Sequence, residues 1–338
     1  MMKREKKLVA LVIATLMLIG IASGCTRTET VDLHTPTYEN VGTSENLAID
    51  LSLEMVPLTS SPAMFLGVEM PAAPGTLTRE NSKAVIDYSN SSDGYVMIRF
   101  LNSTEKQLRV KITGPSERGY QYVLNQNAEY EVFPLSDGNG SYTIQVFEHI
   151  EGTTYSVAAS VTIEVALNDE FAPFLRPNQY VNFTNDSTAV ARANELINSN
   201  MTLTDKISTI YNFVVSNLTY NRTLAQEIVD GLRPNYLPNI DSVLASGQGI
   251  CFDYAALMTA MLRSQNVPTR LVVGYAGSVY HAWIDVWSDE EGWINSSIYF
   301  DGESWKLMDP TFASTSGQAD RDWQFIGDGT NYSTCFLY

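Results

Sequence analysis

The sequence predicts an α+β protein in which an all-β sandwich precedes a region of helices packed on an antiparallel sheet. Between about Arg79 and Leu167, apolar and polar residues alternate in short segments separated by Gly, Asn, Ser and Asp. This period of two is typical of strands with one buried face. After Leu167 the spacing of apolar residues changes to three or four, as at Ile207, Ile210 and Val214, which favours helices.

Residues 79–167 are predicted to form the sandwich domain. The alternating segments are Tyr95–Phe100, Leu108–Ile112, Tyr142–Phe147 and Val161–Val165. Turn residues such as Asp137 to Gly140 divide them, so we expect an immunoglobulin-like architecture, although the Cys-Trp-Cys pattern of true immunoglobulin domains is absent from the sequence.

Residues 168–338 are predicted to form the second domain. The predicted elements are a helix over 189–197 after the cap Ser187, a helix after Thr204, a loop over 221–245, a helix over 252–263, a strand over 270–275, a strand that begins with His281, and a strand that ends at Asp309. The helix over 252–263 is apolar on nearly every face, so we expect it to be buried at the centre and packed on the sheet.

The N-terminal residues have the pattern of an export signal. Four basic residues among the first seven precede an apolar run from Leu8 to Ala22, which is short for a membrane span. The following Ala22-Ser23-Gly24-Cys25 resembles the lipobox of bacterial lipoproteins, which usually has Leu where Ala22 stands. That resemblance implies a signal peptide over 1–24 and lipidation of Cys25. An ordinary secretory peptide and an uncleaved anchor are the alternatives.

Residues 25–78 are rich in Thr, Ser, Pro and Glu, and we expect them to form a tether. The signal peptide, the lipobox-like residues and the tether together predict a protein that is exported and lipid-anchored to the outer face of the bacterial cell membrane. Its formal net charge of −17 disfavours nucleic acid as a partner and disfavours electrostatic binding to anionic lipid. The expected partners are a peptide or protein substrate at the cell envelope, and the membrane through the anchor.

Cysteine and histidine are scarce. Three cysteines exclude a disulfide-rich scaffold, but a bridge between Cys251 and Cys335 remains an alternative that would block a reactive thiol. Three histidines lie far apart in the sequence, at His34, His149 and His281. We therefore expect no metal centre and no cofactor.

Cys251 is the main candidate for catalysis. It follows Gly247 and Gly249 and begins the apolar helix. The unpaired N–H groups and the positive dipole end of a helix favour a thiolate, which is the nucleophilic form of cysteine. The glycines allow close approach of the backbone, and the Cys251 N–H is a natural donor to an oxyanion.

His281 and Asp309 are the candidate partners of Cys251. His281 shares one face of its strand with Trp283, Asp285 and Trp287, whereas Tyr280, Ala282, Ile284 and Val286 share the other. Asp285 is four strand positions away, roughly 13 Å, which is too far to orient His281. Asp309 ends the following strand and can lie beside His281.

The order and motifs of these residues resemble the transglutaminase-like superfamily. Residues 249–257 fit G-x-C-x-D-Y-A-x-L, and H-A-W at 281–283 and D-P-T at 309–311 follow in order. The resemblance covers roughly 180–313. It implies a papain-like α+β core with Cys251 as nucleophile, His281 as general base and acid, and Asp309 as the residue that orients His281. Many relatives have Asn where this chain has Ile284, on the strand face away from His281.

The remaining site candidates are less firmly indicated. Gln248, Tyr220 and Tyr236 are candidates for a second oxyanion donor, with Gln248 preferred for its proximity in sequence, and Trp283 is a candidate for the cleft wall. Taken singly, Cys251 could be a core cysteine, His281 a buried strand histidine, and Asp309 a turn residue before proline.

The resemblance implies attack on an amide carbonyl to give a thioester, which water or an amine then resolves. We expect a cysteine peptidase or amide hydrolase that acts on peptide or isopeptide bonds. A cross-linking transglutaminase and a non-catalytic adhesion or scaffold lipoprotein are the alternatives.

Overall fold

The computed structural model describes residues 67–277, 279–290, 292–295, 299–300, 305–306, 311 and 332–338. The predicted signal peptide, Cys25, Asp309 and most of the predicted tether lie outside these residues. In the part of the chain that is described, no helix has the length and apolar character needed to cross a membrane.

Two four-stranded antiparallel sheets form the first half of the described chain. The strands are β1 Thr78–Glu80, β2 Ala84–Asp87, β3 Tyr95–Phe100, β4 Leu108–Thr113, β5 Gly119–Leu124, β6 Glu131–Pro134, β7 Gly140–Glu151 and β8 Thr154–Val165. One sheet has the order β1-β2-β3-β6 and the other has the order β5-β4-β7-β8. Apolar residues from both sheets, such as Ile98 and Ile144, share one buried core.

The alternating segments of the sequence are strands in the structure. β3 has the predicted limits, and β4, β7 and β8 contain the other three predicted segments. Burial alternates along β4, where Leu108, Val110 and Ile112 are buried and the residues between them are partly exposed. This alternation is why the period of two in the sequence identified the strands. The immunoglobulin-like relationship itself stays a prediction.

Five helices and a second group of strands make up the rest of the described chain. The helices are α1 Thr188–Leu196, α2 Leu203–Asn217, α3 Arg222–Val229, α4 Ile240–Ser246 and α5 Cys251–Ser264. The strands are β9 Thr219–Tyr220, β10 Gln248–Gly249, β11 Thr269–Ala276, β12 Val279–Ser288, β13 Gly292–Asn295, β14 Tyr299–Phe300, β15 Trp305–Lys306 and β16 Tyr332–Leu337. The main sheet has the antiparallel order β13-β12-β11-β16, so mixed helix and antiparallel sheet is the observed architecture.

The central position predicted for the apolar helix is confirmed. Every residue of α5 from Asp253 to Ser264 is buried. Helices α1, α2 and α4 and strands β11 and β12 all contact α5. Because neighbours surround α5, its apolar residues are buried all round instead of along one stripe.

The predicted loop over 221–245 is wrong, because it contains the short helices α3 and α4. The Asn221 side chain accepts a hydrogen bond from the Leu224 N–H and caps α3, and Asn239 caps α4 by accepting from the Ser242 N–H. These asparagines satisfy N–H groups that the first helical turn leaves unpaired. The second predicted helix starts at Leu203 instead of after Thr204, because Thr202 and Asp205 form a reciprocal capping box.

The described end of the predicted tether is attached to the folded part. The Asn185 side chain makes two hydrogen bonds to the backbone of Val68, and the Ala72 N–H donates to the Tyr95 hydroxyl. The Gly75 N–H donates to a carboxylate oxygen of Asp87. Residues 67–77 therefore lie along the surface of the fold, and Thr78 belongs to β1.

An aromatic cluster joins the two halves of the fold. It consists of Tyr120 and Tyr122 from β5, Tyr180 from the segment before α1, Phe336 from β16, and Tyr338. The ring of Tyr122 lies 5.5 Å from that of Tyr180 and 5.9 Å from that of Tyr338. The Tyr180 hydroxyl also donates to the Gln121 carbonyl. We refer to these five residues as the aromatic junction.

Arg263 fixes the C-terminal end of α5 near this junction. Its guanidinium is buried and donates hydrogen bonds to the carbonyl oxygens of Thr269, Arg176 and Tyr338. Burial lowers the pKa of Arg263 to about 9, because desolvation disfavours the charged form. The three carbonyl oxygens replace much of the lost hydration and tie the helix to three other segments.

Substitution of Tyr122 tests whether the aromatic junction makes the two halves one cooperative unit. We expect Tyr122→Ala to lower the free energy of unfolding by about 3–5 kcal/mol, because it leaves a cavity beside Tyr180 and Tyr338. All five tryptophans follow Leu167, so tryptophan fluorescence reports on the second half, whereas far-UV circular dichroism reports on both. The urea midpoints of unfolding reported by the two signals should fall together in Tyr122→Ala.

Tyr122→Phe is the matched control. The Tyr122 hydroxyl has no hydrogen-bond partner within the described residues, so its removal should change the free energy of unfolding by less than about 0.5 kcal/mol. If only the midpoint measured by circular dichroism fell in Tyr122→Ala, the two halves would unfold independently.

Candidate active site

Cys251 is the first residue of α5 and is partly exposed. It is a free cysteine, so the alternative bridge to Cys335 is excluded. The twelve residues that complete the helix beyond Phe252 are buried, so the thiol lies at the accessible end of a helix that is otherwise enclosed. The unpaired N–H groups of the first turn and the helix dipole favour negative charge at this position.

The turn before Cys251 depends on two glycines. Gly247 ends α4 with φ +62°, in the left-handed region that favours glycine. A Cβ on Gly249 would lie 2.6 Å from Cβ of Asp253, so the backbone passes directly against that residue. The predicted close approach of the backbone is therefore observed, and its partner is the first turn of α5 itself.

Asp253 holds this turn in place. Its side chain is fully buried, and one carboxylate oxygen accepts from the Ile250 N–H at 2.8 Å. The other oxygen accepts from the Tyr236 hydroxyl at 2.7 Å. Burial raises the pKa of Asp253, and the two hydrogen bonds oppose this by stabilising the carboxylate. Sequence reasoning assigned Asp253 only to the helix dipole and missed its contact with Tyr236.

Tyr220 lies beside the Cys251 turn. Strand β9 pairs in parallel with β10, which sets Tyr220 opposite Gly249, and the Asn221 N–H donates to the Gly249 carbonyl. Burial raises the pKa of Tyr220, and the charge of nearby Cys251 raises it further. The Tyr220 hydroxyl therefore stays protonated and able to donate a hydrogen bond near the thiol.

The other two oxyanion candidates differ from Tyr220. The Gln248 side chain is exposed, and its carbonyl oxygen accepts from Asn221 at 3.3 Å. The single hydroxyl proton of Tyr236 is donated to Asp253. Of the three candidates, Tyr220 is the one whose pKa is raised by the charge of Cys251.

Tyr280, near the start of β12, lies close to the Cys251 end of α5. Burial raises the pKa of Tyr280, and Cys251 contributes to this shift, so Tyr280 lies within electrostatic reach of the thiol. His281 is the next residue in the strand. Sequence reasoning missed Tyr280 as a neighbour of Cys251, because that proximity depends on how α5 crosses β12.

His281 is 4% exposed, and its ring is held by aromatic neighbours. The ring stacks on Trp283 with an interplanar angle of 24°, and Tyr332 of β16 approaches edge-on at 6.3 Å. The predicted common face of His281 and Trp283 is therefore observed. Trp283 is only 1% exposed, which indicates a packing role rather than a broad contact surface in the cleft.

Asp285 lies beside Arg270 on the neighbouring strand and raises the pKa of that guanidinium against the larger effect of burial. Asp309 lies outside the described residues, so its proposed role remains a prediction. Among the described residues, no group of three or more His, Cys, Asp or Glu side chains is arranged to hold a metal ion.

Residues 190–310 match the family model of the transglutaminase-like superfamily. The match begins in α1 and includes α5, β12 and the position of Asp309. These residues form a transglutaminase-like domain. The matched range does not reach the two sheets of the first half or β16, which completes the main sheet beside β11.

The transglutaminase-like domain also has a curated relative. Over 69 residues the chain is 30% identical to a protein-glutamine gamma-glutamyltransferase of Pseudomonas aeruginosa. The aligned part is 16% of this chain and 10% of the length of that protein. The likeness is therefore confined to a short segment of the relative.

Two solved structures resemble larger parts of the chain at low sequence identity. A candidate cysteine protease from Cytophaga hutchinsonii is 16% identical, covers 72% of this chain and 83% of its own, and has a TM-score of 0.36. A candidate protease from Parabacteroides distasonis is 12% identical, covers 67% of each chain, and has a TM-score of 0.26.

Substitution of Gly249 tests the close packing of the Cys251 turn. In Gly249→Ala the new methyl group would displace Asp253 from the Ile250 N–H, so we expect the free energy of unfolding to fall by about 1–3 kcal/mol. Urea denaturation measures this change. Gly119→Ala is the control, because its Cβ would meet only the flexible end of the Lys111 side chain. Equal stability of the two variants would contradict the role given to Gly249.

Proposed function

We propose that the transglutaminase-like domain is a thiol-dependent acyl-transfer enzyme that hydrolyses peptide or isopeptide amides. The observation that carries the proposal is the position of Cys251. It is a free, partly exposed thiol at the first residue of a buried helix, inside the matched domain and beside Tyr220 and the start of β12. Such a position favours the thiolate and leaves it open to a substrate.

The proposed first step is attack of the Cys251 thiolate on the amide carbonyl carbon. A carbon–sulfur bond forms, and the carbonyl oxygen becomes an oxyanion that accepts from the Cys251 N–H and the Tyr220 hydroxyl. We prefer Tyr220 to Gln248 as second donor, since Tyr220 lies opposite Gly249 beside the Cys251 turn, whereas the Gln248 side chain is exposed. Protonated His281 gives its proton to the amine nitrogen as the carbon–nitrogen bond breaks, which leaves a thioester.

The proposed second step is hydrolysis of the thioester. Neutral His281 takes a proton from water, the resulting hydroxide attacks the thioester carbon, and the carbon–sulfur bond breaks to release the acid and the thiolate. In this proposal Asp309 orients His281, as the family motif implies. The stacking of His281 on Trp283 supports the proposal because it limits the orientations open to the imidazole.

A cross-linking transglutaminase is the second candidate function. The sequence likeness to a gamma-glutamyltransferase favours transfer of the acyl group to an amine. Water is the more abundant acceptor, and no residue pattern in the sequence marks an amine-binding site, so we prefer hydrolysis. A non-catalytic scaffold is disfavoured by the presence of Cys, His and Asp in the family order.

We also propose that the protein is exported and anchored through a lipid on Cys25, with the two sheets of the first half forming an immunoglobulin-like domain. The basic, apolar and small-residue regions before Cys25 support the anchor. The order of strands in two facing antiparallel sheets supports the domain.

Alkylation of Cys251 by iodoacetamide tests the proposed nucleophile. In the full-length protein in detergent, we expect Cys251 to be alkylated faster than a small free thiol under the same conditions. His281→Ala should slow this alkylation, because it removes the proposed cationic partner of the thiolate. Mass spectrometry of the peptide that contains Cys251 gives the rate at this residue. A wild-type rate equal to that of a small free thiol at every pH would reject an activated thiolate.

The fate of an acyl group on Cys251 distinguishes the two candidate reactions. With p-nitrophenyl acetate as probe, we expect acetylation of Cys251, abolished in Cys251→Ala, followed by release of acetate. Added putrescine should leave the steady-state release of p-nitrophenolate unchanged within about twofold, since water is the proposed acceptor. Formation of acetylputrescine as the main product, detected by mass spectrometry, would instead identify an acyltransferase.

A further inference from the structure

Tyr236 and Asp253 form a contact that the proposed reaction does not itself use. Tyr236 lies in the connection between α3 and α4, residues 230–239, and is partly buried. Its hydroxyl donates to one carboxylate oxygen of Asp253 at 2.7 Å, while the Ile250 N–H donates to the other at 2.8 Å. Asp253 thus links the α3–α4 connection to the backbone immediately before Cys251.

We propose that Tyr236 is a positioning residue for the Cys251 turn. Its hydrogen bond fixes the rotamer of Asp253, and Asp253 in turn fixes the peptide that joins Gly249 to Ile250, the residue before Cys251. This inference rests on the proposed function, because it concerns the direction of the Cys251 N–H, the proposed oxyanion donor.

Close packing of the turn makes the backbone before Cys251 depend on the Tyr236–Asp253 contact. The backbone at Gly249 passes so close to Asp253 that a Cβ there would lie 2.6 Å from Cβ of Asp253. A rotation of the Asp253 side chain would remove the acceptor of the Ile250 N–H in this tightly packed turn. Since Asp253 is fully buried, water does not readily replace the lost hydrogen bond.

The α3–α4 connection is held at two points just before Tyr236. Arg233 pairs with Glu227 of α3 at 2.7 Å, and Asn235 accepts a hydrogen bond from the Arg109 guanidinium of β4 at 2.9 Å. Asn235 has φ +59°, in the left-handed region that asparagine tolerates better than most residues. Through Arg109, the sheet region contacts the connection one residue before Tyr236. Because the Arg109 contact is exposed, we expect its contribution to be smaller than that of Tyr236.

The experiment compares two reactions of the same thiol in the full-length protein. Alkylation by iodoacetamide requires the thiolate but no oxyanion donor, whereas acetylation by p-nitrophenyl acetate develops an oxyanion. The ratio of acetylation rate to alkylation rate at Cys251 therefore reports the donor geometry. We expect Tyr236→Phe to lower this ratio about tenfold, less than the 10²–10³ that loss of a direct donor costs. Tyr220→Phe serves as the comparison for a direct donor.

Matched controls separate positioning from general destabilisation. Tyr155→Phe removes a tyrosine hydrogen bond of similar length, to Gln107, in the sheet region. Lys111→Ala removes a basic residue from the same face of β4 as Arg109. Both should leave the ratio unchanged, and Arg109→Ala should lower it in the same direction as Tyr236→Phe. Thermal unfolding of each variant shows whether the fold is kept.

Substitution of Asp253, the acceptor of the Tyr236 hydrogen bond, tests the same positioning role. Asn at this position can accept from the Ile250 N–H and donate to the Tyr236 oxygen, so Asp253→Asn should retain most of the wild-type ratio, whereas Asp253→Ala should lose it. An unchanged ratio in folded Tyr236→Phe would overturn the positioning role. Absence of acetylation at Cys251 in the wild-type protein would instead overturn the proposed function.

Discussion

The burial of α5 is the constraint on which the rest of the structure depends. A helix that is enclosed from Asp253 to Ser264 needs neighbours on every side, and it obtains them from three helices and two strands of the main sheet. The same enclosure leaves the first residue, Cys251, as the point where the helix meets solvent. Packing and reactivity are thus linked, because the elements that stabilise α5 also determine what surrounds the thiol.

The sequence predicted the elements whose signals are periodic. Alternation identified β3 and β4, and the all-apolar character of α5 predicted its central position. Likewise, the pairing of His281 with Trp283 on one strand face followed from the period of two and appears as a ring contact. These features could be predicted because a short stretch of sequence contains all the information that they require.

Features that depend on distant segments could not be predicted in this way. Helices α3 and α4 are too short for a clear period, and their start depends on asparagine side chains that also suit loops. The contact between Tyr236 and Asp253 joins residues from two elements whose packing is set by α5. The aromatic junction requires β5 and β16, which are far apart in sequence, to meet. The nucleophile could therefore be proposed from motifs, whereas the groups that position it could not.

Residues 67–77 give the fold a mechanical property. They bind at two separate places, the Asn185 side chain in the helical half and Tyr95 and Asp87 in the sheet half. A pull transmitted along the chain from its N-terminal side would reach the paired hydrogen bonds between Val68 and Asn185 first and the bonds to the sheet half next. These peripheral contacts would break one after another before the pulled segment detached from the fold as far as β1, which begins at Thr78.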